Sequence, residues 1–369
     1  MELSIKKPTL VIDTEIVIAN ILRMKDKAVK NDCILRPHFK THQSAKVGSF
    51  FKAQDIHQCT VSSIQMAHYF AEHGWKDITI AFPVNILEID SLISLSKKAK
   101  VNVCVESPEA MQFLLNYKAL SIGFFIKIDA GYHRTGIDAM NISLITDIIK
   151  LSETNSEITF KGFLQHAGHT YHVKDSSEVN SIHEETIQQM KRLRERFIAQ
   201  YPDLTLSVGD TPSCSICEDF SEVDEIRPGN FVFYDLMQHY IGACQLSDIA
   251  VRLACPVVAK HPDRNEVIIY GGAVHFSKDQ VNDPQGIRSF GLVGNKSENW
   301  NELLEGTYIK KLSQEHGTIH CPDILMDKIK VGDLLYCIPV HSCLTADLMF
   351  EYIDKEGNVY EKMNFNSFS

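Results

Sequence analysis

Between residues 33 and 226 short apolar runs recur eight times, and segments of helical period separate most of them. The runs fall at 33–35, 59–61, 78–82, 101–105, 122–128, 158–164, 204–208 and 223–226. Strands that alternate with helices return to the same end of a sheet through crossovers, so the pattern commits the chain to a parallel α/β sheet. Eight is the number of strands that closes such a sheet on itself, and the predicted fold is a (β/α)8 barrel over 14–245. A doubly wound open sheet is the rival. It is disfavoured because polar groups follow many different strands and no glycine fingerprint of the dinucleotide type opens the first βα turn.

After about residue 245 the pattern changes. Strand-like runs at 251–259 and 265–270 flank a turn rich in His, Pro and Asp, and 348–353 and 358–360 flank the hairpin turn Asp354-Lys355-Glu356-Gly357. Residues 246–369, joined by a first strand within 1–13, are therefore expected to form a β domain. Inside the barrel half one helix start is well marked, with Ser107 as N-cap, Pro108 at the first helical position and Glu109 against the dipole.

Composition removes several function classes. The net charge is −10, with no basic block or interleaving of basic and aromatic residues, so nucleic acid is not an expected partner. The longest apolar runs are far shorter than a membrane span. Met1-Glu2-Leu3-Ser4-Ile5-Lys6-Lys7 lacks the apolar core of a signal peptide, and the ten cysteines are scattered, so reduced thiols in a cytoplasmic protein are expected.

A barrel carries its chemistry on the loops that follow the strands. The first such loop is Arg36-Pro37-His38-Phe39-Lys40-Thr41-His42-Gln43. A lysine at the end of a strand, with His38 and His42 on either side, is a candidate for a desolvated amine of lowered pKa that bonds a carbonyl cofactor; the competing reading is a plain surface charge. Arg134 follows the fifth strand within 129–136, either facing a cofactor oxygen or ring nitrogen or paired with Asp129. His166, His169 and His172 follow the sixth, with Tyr171 among them. In a loop their spacing does not place them on one face, and a metal there is disfavoured. Gly209, Asp210, Thr211 and Ser213 follow the seventh, where a glycine and hydroxyls have the makings of an anion cradle, although Asp210 opposes an anion unless its carboxylate points away. Arg227 and Tyr234 follow the eighth.

Cys214 and Cys217 lack a second pair and do not make a structural zinc site. His341 and Cys343 are the better metal candidates: two residues apart on an extended chain they face the same side, and imidazole with thiolate suits zinc.

Taken together these stretches resemble the D-serine dehydratase and D-threonine aldolase family, whose members are pyridoxal 5'-phosphate enzymes with an alanine-racemase-like barrel. The resemblance runs through 37–42, 129–136, Gly168-His169, 207–215, 227–235, 314–317 and 339–345, in matching order over nearly the whole chain. It implies Lys40 as the Schiff-base lysine and the loop at Gly209, Asp210 and Thr211 as phosphate binder. It also implies Arg134 beside the pyridoxal ring, with His38, His169, Tyr171 and Tyr234 around the cofactor, and His341 with Cys343 as ligands of a divalent metal. A homodimer in which one subunit's β domain closes the other's site is implied too. Within the family a His-x-Cys pair goes with zinc and dehydration of D-serine to pyruvate and ammonia, whereas the aldolases more often carry His and Asp and use manganese or a similar ion. Gln43 departs from the family pattern, where a second Lys is common, and the three-histidine stretch differs from both subfamilies. The aldolase reaction is the first alternative. An amino-acid racemase would need a second base, for which spacing identifies no tyrosine, and a non-catalytic pyridoxal-phosphate carrier would usually lack a β domain.

Overall fold

The computed structural model describes residues 4–173, 175–294, 300 and 302–364. The chain divides into two compact units. One gathers Leu22–Lys40 and Gly48–Gly229; the other gathers the chain up to Ile21, Thr41–Val47 and Asn230–Asn364. We number strands along the chain, beginning with β1 (Thr9–Ile12).

The first unit is the expected barrel. Its strands are β2 (Ile34–Leu35), β3 (Gln58–Val61), β4 (Asp77–Pro83), β5 (Lys100–Val105), β6 (Ile122–Ile128), β7 (Ile158–Gln165), β8 (Thr205–Val208) and β9 (Glu225–Ile226). They form an all-parallel sheet in the order β2-β9-β8-β7-β6-β5-β4-β3. The sheet closes just beyond β2, where His38 makes a parallel bridge to Thr60 and the amide of Phe39 donates to the Thr60 carbonyl at 2.8 Å. Alternation along each strand turns Cys104, Phe125 and Leu164 to a shared buried cluster, with Ala81 packed against it. The helix Pro108–Leu115 begins as its sequence requires, the Ser107 hydroxyl accepting from the amide of Ala110.

In the second unit the sheet is mainly antiparallel. It contains β10 (Val251–His261), β11 (Glu266–Tyr270), β14 (Gly291–Gly294), β15 (Leu303–Leu312), β16 (His316–His320), β17 (Leu334–Pro339), β18 (Glu351–Asp354) and β19 (Val359–Glu361), and a separate hairpin pairs β12 (Val281–Asn282) with β13 (Arg288–Ser289). The order is β11-β16-β15-β14-β17-β10-β1-β18-β19, and β10 also pairs with β11. β1 runs antiparallel to β10 and parallel to β18. The turn read from Asp354 to Gly357 is present, with the Asp354 carboxylate accepting from the amides of Glu356 and Asn358.

Candidate active site

The residues before Lys40 are fixed one by one. Arg36 is buried and donates to Glu225 and to Asp77, both at 2.5 Å. Phe39 is fully buried against Phe51, Phe70 and Trp75, with ring centroids 5.1, 4.8 and 4.6 Å away. The amide of Lys40 donates to His38 Nδ1 at 3.3 Å. A backbone anchored in this way delivers Lys40 to the barrel's carboxyl end. Its side chain is exposed there, not desolvated as the sequence had led us to expect, because it lies past the last strand residue in the connection that follows β2.

The loops after β6 and β7 converge on the same region of the barrel. His166 Nδ1 bonds the Gly209 carbonyl at 2.7 Å. Burial pulls the His166 pKa well down; the bond to Gly209 opposes this, while the charges of Lys40, Lys127 and Arg134 add to it. The imidazole is therefore neutral and lies among three cations. Residues Gly168–His172 form a 3-10 turn, in which positions three apart are eclipsed. His169 and His172 accordingly share a side after all, with centroids 6.1 and 6.4 Å from the Tyr132 ring. Arg134 stacks over that ring at 5.2 Å. It does not pair with Asp129 as the alternative reading had it: Asp129 accepts from the amides of Gly131 and His133 and bonds His133 Nδ1 at 2.7 Å.

Beyond β8 the backbone turns through Gly209 at φ +149°, where a Cβ would lie 2.5 Å from the Arg227 amide nitrogen. Asp210 then caps the helix Thr211–Ile216, accepting from the Ser213 amide and the Thr170 hydroxyl, both at 2.8 Å. That cap turns its carboxylate into the helix start. The Thr211 amide donates to the Tyr171 hydroxyl at 3.1 Å. The hydroxyl oxygens of Thr211 and Ser213 and Nδ1 of His169 are buried without a hydrogen-bond partner among the described residues. Buried polar atoms of this kind are costly unless something satisfies them.

Below them runs a buried chain of hydrogen bonds: Arg227 Nε donates to Ser207 Oγ at 2.6 Å, Ser207 Oγ donates to Glu225 Oε1 at 2.6 Å, and Arg227 also donates to the Gln165 carbonyl at 2.6 Å. An accessible lysine, a neutral imidazole among cations and orphaned hydroxyls at a glycine turn fit a group that carries an aldehyde and a phosphate. Pyridoxal phosphate is such a group.

The candidate metal pair lies in the other unit. The helix Ser342–Asp347 starts one residue after His341, so Cys343 sits in a helical first turn and not on an extended chain. The two side chains meet nonetheless. Burial lowers the His341 pKa, but hydrogen bonds to Asp279 and Cys343 outweigh it and raise it to about 10. Nδ1 of His341 bonds Asp279 at 2.9 Å, and a carboxylate behind one ring nitrogen orients the other as a ligand. Cys343 Sγ lies 3.2 Å from Thr41 Oγ1 and 3.4 Å from Asn230 Nδ2. Among the described residues no cluster of three or more His, Cys, Asp or Glu is arranged to hold a metal, so a metal here would rest on His341 and Cys343 with other positions open. Cys214 and Cys217 form no disulfide, and neither do the other eight cysteines. Tyr234 is buried within this unit at φ +48°, its amide donating to the Asn230 carbonyl at 2.7 Å. Sequence reading missed Asp279, which is 62 residues from His341 with no motif to link them, and the chain from Arg227 to Glu225.

Residues 12–236 match the family model described as "Alanine racemase, N-terminal domain", which covers more than half of the chain. The chain belongs to that family. Residues 250–353 match a second model, "Putative serine dehydratase domain", and the two together mark the D-serine dehydratase and D-threonine aldolase branch. The chain is 29% identical to the D-serine dehydratase of Dictyostelium discoideum, covering 95% of this chain and 93% of that one. It is 26% identical to the D-threo-3-hydroxyaspartate dehydratase of Delftia sp. (93% and 92% covered). The solved structure of the Delftia enzyme superimposes with a TM-score of 0.91 at 25% identity over 98% of each chain. A variant of that dehydratase described as being in the metal-free form gives the same TM-score at 24% identity over 98% of each chain.

Proposed function

We propose that this chain is a pyridoxal-phosphate- and metal-dependent lyase of β-hydroxy D-amino acids, and that its reaction is the dehydration of D-serine to pyruvate and ammonia. The observation that carries this reading is the His341–Cys343 pair with Asp279 behind the imidazole, in a chain whose two halves both match dehydratase relatives. Lys40 is the proposed cofactor-bonding lysine. The Thr211 and Ser213 hydroxyls, with the Gly209 turn, would hold the phosphate, and Arg134, His166 and His169 would line the ring. Bound there, the cofactor supplies an electron sink for bond breaking at Cα. A metal on His341 and Cys343, zinc by the softness of the thiolate, supplies Lewis acidity toward the β-hydroxyl.

The chain's own residues do the rest. Lys40 Nζ takes the Cα proton, and its exposed position leaves it room to move between cofactor and substrate. His166, held neutral by burial, adds no fourth cation to Lys40, Lys127 and Arg134. A homodimer is part of the proposal: Leu344, Leu348 and Phe350 follow the metal pair and are exposed, Phe350 by 90%, and an apolar patch of this kind fits a subunit interface.

A second reading has an observation of its own. Arg134, His169 and His172 gather around Tyr132, and the Arg134 guanidinium with imidazole hydrogen-bonding groups beside it would accept a substrate with a second carboxylate, as in 3-hydroxyaspartate. The test offers D-serine, D-threonine and D-threo-3-hydroxyaspartate separately to the cofactor- and zinc-loaded protein. Pyruvate from D-serine, lost after chelation and in Cys343→Ala, supports the proposal. Glycine plus an aldehyde makes the chain an aldolase, and turnover of 3-hydroxyaspartate alone selects the second reading. Sedimentation of wild type against Phe350→Glu tests the dimer.

A further inference from the structure

At the opposite end of the barrel from Lys40, a cavity of about 490 Å³ opens among the segments that lead into β4 to β7. Five lysines line it: Lys76, Lys97, Lys98, Lys100 and Lys161. They come from three separate parts of the chain and meet only because the barrel brings the amino ends of adjacent strands together. One carboxylate, Glu157, lines the same cavity, in a chain whose net charge is −10.

The carboxylates near these lysines do not balance them. Lys98 approaches Glu72 at 3.5 Å, an exposed pair of little strength. Lys100 reaches Asp77 at 3.0 Å, but Asp77 also serves Arg36 at 2.5 Å. Among the described residues the Lys76 ammonium donates only to the Lys98 carbonyl, at 3.3 Å. Lys97 and Lys161 have no ion pair among the described residues. The Lys161 stem lies over Gly123, where an added Cβ would come within 2.8 Å of its Cγ, so this lysine is laid along the wall. Like charges gathered in a concave, partly apolar wall repel one another and focus a positive potential, which an anion of several charges relieves. Ser121, Ser156 and Thr159 add hydroxyl donors at the rim.

We propose that this cavity is a binding site for a small polyphosphate, an anion with two or more linked phosphate groups. A single phosphate would fill little of the volume and answer few of the ammonium groups. A linear di- or triphosphate matches five cations set against one carboxylate. The barrel's amino end is not where this fold does chemistry, so the bound anion acts on stability or regulation, not on the reacting atoms.

The test titrates the cofactor-loaded protein with tripolyphosphate, pyrophosphate, orthophosphate and ATP at constant ionic strength, by calorimetry and thermal denaturation. Tripolyphosphate is expected to bind one to one, to raise Tm, and to bind more tightly than orthophosphate. The double variant Lys97→Glu/Lys161→Glu should lose about tenfold or more in affinity, as befits two lost charge-assisted contacts, while its turnover stays at the wild-type level. ATP binding as tightly as tripolyphosphate, or more tightly, supports the site and says whether a nucleoside adds to it. The control Lys311→Glu/Lys330→Glu removes two exposed lysines elsewhere. The proposal fails if no saturable binding occurs, if the cavity variant binds as wild type does, or if the control loses affinity equally, which would make the effect one of net charge.

Discussion

The two ends of the barrel are built on opposite principles. At the carboxyl end, position is fixed before any ligand arrives: Phe39 is locked among three aromatic rings, Gly209 is forced through a left-handed turn against the Arg227 backbone, and Asp210 is spent on a helix cap. At the amino end the cationic groups are lysines on flexible stems, four of them exposed and Lys161 half-buried along a wall. Chemistry needs the first kind of construction, because a reacting group placed an ångström away from its target loses most of its effect. Attraction of an anion needs only the second, because a field does not depend on one geometry.

The largest expected effect is at Lys40. Lys40→Ala should lower turnover by ~10³-fold or more, through loss of both the cofactor bond and the group that moves the proton. It should also abolish the cofactor's visible absorbance while leaving Tm in the absence of cofactor near wild type, since the side chain is exposed. An absorbance band and turnover that both survive would move the chemistry to another lysine.

A pair of alanines sharpens the comparison further. At Gly209 a Cβ meets the Arg227 backbone at 2.5 Å in a positive-φ conformation. At Gly123 it meets side chains, Asn102 Oδ1 at 2.1 Å and the Lys161 stem. Backbone cannot yield as side chains can, so Gly209→Ala should cost about 2–4 kcal/mol and weaken cofactor binding, against about 1–2 kcal/mol for Gly123→Ala. Urea denaturation of both variants gives the ranking, and the reverse order would mean that the Gly209 turn is not strained in solution.

How much of this was legible in the sequence follows the same division. The barrel strands were, because apolar runs of three to seven residues between turn signals carry their own period, and even the short β2 and β9 fell within the expected runs; β12 to β16 of the second unit were not among the expected runs. Lys40, His341 and Cys343 stood out because neighbouring residues marked them. Three things were not legible for a physical reason. The Gly168–His172 segment read as a loop, and only its 3-10 geometry brings His169 and His172 to one side. Arg134 looked like a partner for Asp129, yet the Asp129 carboxylate is taken up by its own loop amides and His133. The lysine cavity is invisible because no local stretch is basic enough to notice until strand order assembles it.

A smaller effect separates the ends by pH. His166 is neutral when folded, its pKa held well below 6.5 chiefly by burial. The unfolded chain takes up a proton near pH 6.5 that the folded chain refuses, so this stabilisation is complete above that pH and falls away as the solution is acidified. The slope contributed is at most one proton, about 1.4 kcal/mol per pH unit. His166→Asn, which keeps a donor for the Gly209 carbonyl, should flatten the acid limb of stability between pH 4 and 6.5, whereas Lys97→Gln, which adds no titrating group, should leave that limb's slope unchanged. An acid limb that ignores His166→Asn would show the imidazole to be charged in the folded protein.

The smallest effect is the stability of the ligand-free lysine variant. Replacing two ammonium groups of a repelling cluster by exposed carboxylates should change folding free energy by no more than about 0.5 kcal/mol, and toward greater stability, because no salt bridge among the described residues is lost and like-charge contacts are relieved. The sign must also respond to salt, since exposed charges are screened over roughly 8–10 Å at moderate ionic strength. Denaturation of Lys97→Glu/Lys161→Glu at low and high salt therefore gives a gain that shrinks as salt rises. A loss of stability at low salt would mean that these lysines hold the barrel's amino end together, and that the contrast between a rigid end and an electrostatic end is drawn in the wrong place.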